Sequence, residues 1–248
     1  TEADYKALWE RRNDKTENPA RPWVVTDNRN GRQQYVYLAN FDWYNYLYDD
    51  SRPTWDHNIN IKGGSKSLSY MVSGRYYQQK GVNRLDPDMF KSYNFRVKLQ
   101  AEIKPWLTIA SNTKFFQSNY RYYGYEDEYN NFRKPTLHAL ASFVPVNPDG
   151  TAVSHTSMTQ SSTHYVMDGY NAMMQKGKSF GNKKTQEITT TFEATFKLHR
   201  DFNVKADFSY TQGYLHNDYR SVNVQYSQYP GEVMTEPEGS FPNKYKEV

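Results

Sequence analysis

Six histidines are the residues best suited to acid–base or metal chemistry in this chain, and their spacing supports neither. His57, His138, His155, His164, His199 and His216 stand far apart, with no His-Glu-x-x-His pair to set two imidazoles on one helix face. No Gly-x-Ser-x-Gly segment offers a strained nucleophilic serine. Glu126, Asp127 and Glu128, and the pair Asp86 and Asp88, lack the ligand spacing of a calcium loop and read as solvated loop acids. Gly63-Gly64-Ser65-Lys66 has the letters of a phosphate cradle, but no helix follows, so it reads as a hairpin turn. The chain has no cysteine, which removes thiolate ligands and disulfides. Its net charge of +4 is spread along the sequence and forms no basic stripe, so no nucleic-acid partner is expected. These residues predict a protein that is not an enzyme, with no cofactor and no metal.

Aromatic side chains are the remaining candidates for chemistry. They make up 17% of the residues, with 23 tyrosines. Tyr120, Tyr122, Tyr123 and Tyr125, together with Trp43, are candidate substrate-binding residues, because a rigid aromatic face stacks on the apolar side of a sugar ring. The competing reading, which we favour, is an interface belt or the packing of a long loop. The same choice applies to Tyr44 and Tyr46.

Strands must position these residues. From Tyr93 to Ile103, Tyr93, Phe95, Val97, Leu99, Ala101 and Ile103 alternate with Asn94, Arg96, Lys98, Gln100 and Glu102. Glu187 to Leu198 and Phe202 to Tyr210 alternate in the same way. A strand sorts such residues onto two faces, whereas a helix scatters them. His57–Lys62, Ser67–Gln78 and Trp106–Gln117 are further strands with weaker alternation. Several run past ten residues, longer than the ~5–6 of a globular strand and close to the ~9–11 that cross a bilayer at a tilt. Tight links at 63–66, 104–105 and 199–201 fall at one end of the strands, and long segments fall at the other. That asymmetry is the outer-membrane barrel pattern. Periodicity alone does not say which face meets water, and a soluble β-sandwich acting as a carbohydrate-binding or structural module stays open as the alternative.

The expected fold class is all-β: part of an antiparallel transmembrane β-barrel, about six strands, with long extracellular loops. Residues 1–55 read as loop and short helix, with a helix over Ala3–Asn13, a polar loop over Thr16–Gln34 and a packed aromatic run over Phe41–Tyr48. Residues 56–118 hold four strands, 119–184 a long extracellular excursion, 185–216 two strands and 217–248 another loop. No internal repeat points to a solenoid or propeller.

One ordered series of residues is more specific. His57, Asn58, Asn60, Gly63, Gly64, Ser65, Tyr70, Ser73, Gly74, Tyr76, Tyr77, Gln79, Gly81 and Val82 follow one another through the first two strands. Phe41-Asp42-Trp43-Tyr44 precedes them; Tyr93–Leu99, Lys104-Pro105-Trp106-Leu107 and Pro145–Gly150 follow. The series resembles the early barrel of SusC/RagA-type TonB-dependent transporters over most of residues 41–150. The resemblance implies an outer-membrane protein that imports oligosaccharides or peptides, with a SusD-like lipoprotein as lid and the TonB complex acting through a plug domain. It implies that Arg96, Lys98, Glu102, Lys197, Lys205 and Asp207 face the lumen, and that Phe95, Val97, Leu99, Phe196 and Phe208 face membrane lipid. About six strands do not close a barrel that needs ~22, so the chain is expected to be a piece of a longer one that does not fold alone.

Overall fold

A computed structural model of the chain describes residues 1–123, 139–153, 178–221, 225–235 and 244–247. The N-terminal helix α1 (Glu2–Arg11) starts at a capping box, in which the Thr1 hydroxyl accepts from Asp4 N and the Asp4 carboxylate accepts from the Thr1 amine. Glu2 and Asp4 in its first turn and Arg11 in its last oppose the helix dipole.

The polar stretch read as a loop over Thr16–Gln34 is corrected by the structure. Strands β1 (Val24–Arg29) and β2 (Arg32–Tyr37) form an antiparallel hairpin. Its two turn residues, Asn30 (φ 54°) and Gly31 (φ 78°), both take the left-handed conformation. That is the geometry for which Asn-Gly is suited, and its twist matches that of the flanking strands. The aromatic run folds as a short helix, α2 (Trp43–Leu47), capped by Asp42, whose carboxylate accepts from Asn45 N.

The main body is a single antiparallel sheet. Strands β3 (Thr54–Gly64), β4 (Leu68–Lys80), β5 (Met89–Lys104), β6 (Leu107–Tyr123), β7 (Phe180–His199) and β8 (Phe202–Ser221) pair in chain order. A small separate ladder joins β9 (Gln225–Tyr226) to β10 (Met234–Thr235), and β11 (Lys244–Glu247) then pairs with β8 as a seventh sheet strand. The loop expected over 217–248 is therefore corrected: β8 continues to Ser221, and β11 lies against its last residues. The excursion expected over 119–184 is shorter too, because β6 runs to Tyr123 and β7 begins at Phe180. The sheet is open, with β3 and β11 at its edges.

The buried core lies off the sheet, at the end where the long segments gather. One cluster joins Ala39, Phe143, Val144 and Val153, with Trp23, Val24, Tyr37 and Phe41 packed on it. A second joins Trp43, Leu47 and Tyr48, with Val82, Leu85 and Ala139 against it. Backbone bonds stitch these segments together: Ala39 N donates to Ser142 O, Tyr35 N to Gln228 O, Ser227 N to Ala152 O and Arg84 N to Leu47 O. Residues 1–50 thus help build a cap at that end, which we call the rim. In the six strands β3–β8, by contrast, only Tyr122 and Tyr219 are buried among the large apolar residues whose burial is described, and both sit at the rim.

Candidate functional site

The strand register arranges β3–β8 in rows whose side chains share a face. One row reads Ile61, Val72, Val97, Thr113, Thr190 and Tyr210. The row further from the rim reads Gly63, Tyr70, Leu99, Ser111, Phe192 and Phe208. Phe95 and Phe196 belong to this same face. Nothing covers it among the described residues: Leu99 is 46% exposed and Phe208 65%. A sandwich packs such side chains under a second sheet, and among the described residues no second sheet lies over this face.

The opposite face carries the charge. Arg96, Lys98, Glu102, Lys197, Lys205 and Asp207 all fall on it. The Arg96 Nε donates to Asn112 Oδ1 at 2.8 Å, and the Lys205 ammonium pairs with Glu193 at 2.9 Å. Thr189–Thr211 and Thr191–Ser209 hydroxyl bonds cross between β7 and β8. These groups satisfy one another in a way that suits a wetted surface.

Near the rim the two faces exchange character. On the apolar face the row His57, Tyr76, Tyr93, Gln117, Gln186 and Tyr214 closes the greasy zone. His57 stacks on Tyr76 (6.3 Å), and Tyr76 packs on Tyr93 (5.2 Å). The next row on that face is Trp55, Gln78, Lys91, Asn119, Lys184 and His216. On the charged face the same levels turn aromatic: Tyr77 meets Phe90, Phe90 meets Tyr120, and Tyr120 meets Tyr122 at 5.7 Å.

The candidate binding residues do not gather into one site. Tyr122 is only 4% exposed, and its ring lies across Gly181 on β7. A Cβ on Gly181 would stand 2.2 Å from the Tyr122 ring carbon Cζ, so the close approach requires glycine there. Tyr120 is half-buried beside it and donates to Asp88, whose carboxyl burial pushes above its ordinary range despite that bond and the charge of Arg52. Trp43, 6% exposed, belongs to the separate rim cluster, where its Nε1 donates to Leu140 O and its ring meets Phe41 and Tyr46 edge-on. Tyr123 ends β6, and Tyr125 lies outside the described residues. Of the acidic loop residues, Asp86 pairs with Arg121 at 2.9 Å, whereas Glu126, Asp127 and Glu128 lie outside the described residues.

The Asn-Pro-Asp-Gly segment proves to be a rim brace. Asn147 accepts from the Tyr37 hydroxyl and donates to Thr151 Oγ1 and Ser227 O. Asp149 accepts from the Tyr35 hydroxyl at 2.7 Å and from Thr151. Burial, and then that bond to Asp149, push the Tyr35 phenol up to about 12. Sequence reasoning missed the boundary row and the Lys91–Lys184 level beyond it. The available signal was a tyrosine at one end of an alternating run with a lysine or histidine two residues outside it, as at Lys91 before Tyr93 and His216 after Tyr214.

An antiparallel sheet with one bare apolar face, one charged face and all its long connections at one end defines an open segment of a β-barrel wall. No family model matches the chain, and no curated protein matches it. Among solved structures, the RagAB peptide transporter superposes with a TM-score of 0.53 at 21% identity, over 73% of this chain and 20% of that one. A structure of the RagAB peptide importer in the 'closed-closed' state gives 0.55 at 21%, over 74% and 20%. The chain thus spans about a fifth of the length of those chains, and at this identity the likeness is one of fold.

Proposed function

We propose that the chain forms part of the wall and outer rim of an outer-membrane transporter that actively imports oligosaccharides or peptides. Phe95, Val97, Leu99, Phe196 and Phe208 face lipid, and Arg96, Lys98, Glu102, Lys197, Lys205 and Asp207 face the aqueous lumen or plug. The TonB complex supplies energy through a plug domain, and a SusD-like lipoprotein covers the rim. The reading is non-enzymatic. Tyr120, Tyr122 and Trp43 act in it chiefly by holding the rim together.

The observation that carries this reading is the exchange of polarity between the faces at the Tyr76–Tyr93–Tyr214 row. Tyr93 to Ile103 spans about 34 Å along the strand, or about 26 Å across a bilayer at ~40° tilt, which matches the ~25 Å apolar band of an outer-membrane barrel. Aromatic residues bound that band at both ends, with Trp106 stacked on Phe196 at the tight-turn end. The fold likeness to a peptide importer supports transport and favours peptides over oligosaccharides.

The absence of cysteine permits single-cysteine labelling within the chain. In the full-length protein in outer membranes, labels at Leu99 and Phe208 should be quenched from the lipid phase, and labels at Lys98 and Lys205 by aqueous reagents. Cells producing the protein should take up labelled oligopeptides only while TonB is energised. Labels that report the reverse accessibility sink the orientation, and uptake that is indifferent to TonB sinks the mechanism.

A further inference from the structure

We infer that Lys91 and Lys184 form a binding site for the phosphate of an anionic lipid headgroup in the leaflet nearest the rim. The inference rests on the orientation proposed above and adds a ligand to it. Both lysines lie on the apolar face, one row beyond the Tyr76–Tyr93–Tyr214 boundary. They flank Asn119 from the two neighbouring strands, since Lys91 pairs with Asn119 and Asn119 with Lys184. At ~4.8 Å between strands their backbones stand about 10 Å apart, close enough for both ammonium groups to reach one headgroup.

Their surroundings favour an external anion. In the next row outward on this face the cations are already paired, Lys80 with Asp49 and Arg121 with Asp86. Lys91 and Lys184 have no carboxylate partner among the described residues. Their direct cross-strand neighbours are Gln78, Asn119 and His216, none of them acidic. Both are half-buried, so their stems lie against the sheet while the ammonium groups reach outward at the depth where headgroups sit. The Asn119 amide between them adds a hydrogen-bonding group suited to a phosphate oxygen. Lys98 and Lys205 lie on the other face, both are exposed, and Lys205 is paired with Glu193.

The test uses the full-length protein in mixed phosphatidylcholine and phosphatidylglycerol vesicles, with phosphatidylglycerol retained through extraction counted by native mass spectrometry. Lys91→Gln and Lys184→Gln should each lower retention about five-fold, and the pair about twenty-five-fold, from ~1 kcal/mol per lysine near an anionic surface. Lys91→Arg with Lys184→Arg should keep most of it, and Lys98→Gln with Lys205→Gln should leave it unchanged. Unchanged retention in the Lys91→Gln, Lys184→Gln protein overturns the site. So does displacement of the lipid by millimolar inorganic phosphate, which would make it a free-anion site. A cysteine label at Phe208 read in the same vesicles separates the two failures. If lipid quenches it and retention still ignores the lysines, only this inference falls; if lipid does not quench it, the orientation falls as well.

Discussion

Replacing Phe208 with arginine puts a charge where the proposed reading requires hydrocarbon. Phe208 lies about 20 Å along β8 from the boundary residue Tyr214, or about 15 Å across a bilayer at ~40° tilt. That is close to the middle of an apolar band about 26 Å tall. Arginine at the midplane of an outer-membrane barrel costs ~2–4 kcal/mol. Phe208 also pairs directly with Phe192, and losing such a cross-strand pair costs up to ~1 kcal/mol in any sheet. Phe208→Ala therefore serves as the reference, because it removes the ring without adding charge. Reversible urea unfolding of the full-length protein in vesicles should place Phe208→Arg ~2–4 kcal/mol below Phe208→Ala. In a water-exposed sheet the two would agree within ~0.5 kcal/mol, since surface substitutions change little. Equal stability of the Arg and Ala variants would refute the lipid-facing orientation.

The remaining predictions concern the rim. Asn147→Ala strips a buried brace from the Tyr37 hydroxyl and from Ser227 O; at ~1–3 kcal/mol per stranded group, limited proteolysis should cut near residues 139–153 and 225–235 markedly faster than in the parent. Gly181→Val should disrupt the upper pairing of β6 with β7 and lower the yield of folded protein, and Tyr122→Ala in the same chain should restore much of it, because the clash is with that ring; no rescue means the glycine is needed for another reason. The Tyr35 phenol, raised to about 12 by burial and by Asp149, favours the folded state while protonated; that contribution is complete below the ordinary tyrosine pKa of ~10 and is lost as pH rises from there through about 12. Ultraviolet titration should show late phenolates, since burial also raises Tyr46, and Tyr35→Phe should remove one of them. Asp149 runs the other way: although burial works against it, bonds from Thr151 and Tyr35 hold its carboxyl below the usual range, so its contribution is present above pH ~4 and fades as pH falls through and below it.

How much of this was legible depended on whether one pattern ran unbroken. Tyr93–Ile103 alternates without interruption and lies within β5, and Glu187–Leu198 lies within β7 in the same way. The end of β8 beyond His216 was not legible. Beyond Tyr214 the face that had been apolar carries His216 and Asp218, while the other face takes Leu215 and Tyr219; the strand continues while its pattern reverses phase. The hairpin at Val24–Tyr37 was hidden because Asp27, Asn28, Arg32 and Gln33 are polar on both faces, leaving only Asn30-Gly31 as a signal. Lys244–Glu247 is too short and too polar to announce a strand. For the candidate site, composition marked Trp43 and Tyr122 as aromatic but did not reveal their burial. That depends on Leu140 and Gly181, which are distant in sequence and brought close only by the fold.

Two solvents must be explained, one for each face, and an exposed apolar face alone does not identify them. The rows from Ile59 to Phe208 leave on the order of 800 Å² of large apolar side chains uncovered, beyond the ~300–600 Å² patch of a typical soluble monomer. A missing partner sheet could cover that area as well as lipid could. A partner sheet, however, makes no demand on the far side, which would stay polar along its whole length. Here the far side turns aromatic at the level where the near side turns cationic, as Tyr77, Phe90, Tyr120 and Tyr122 begin where Tyr93 gives way to Lys91. A bilayer with an aqueous lumen accounts for both changes at once. On the proposed reading, the outer surface above the membrane meets water and carries lysine, while the inner surface stops lining a wet channel and starts supporting the packed rim. One boundary plane then accounts for both reversals, which is why the level of the exchange, rather than the greasiness of either face, is the feature on which the orientation stands.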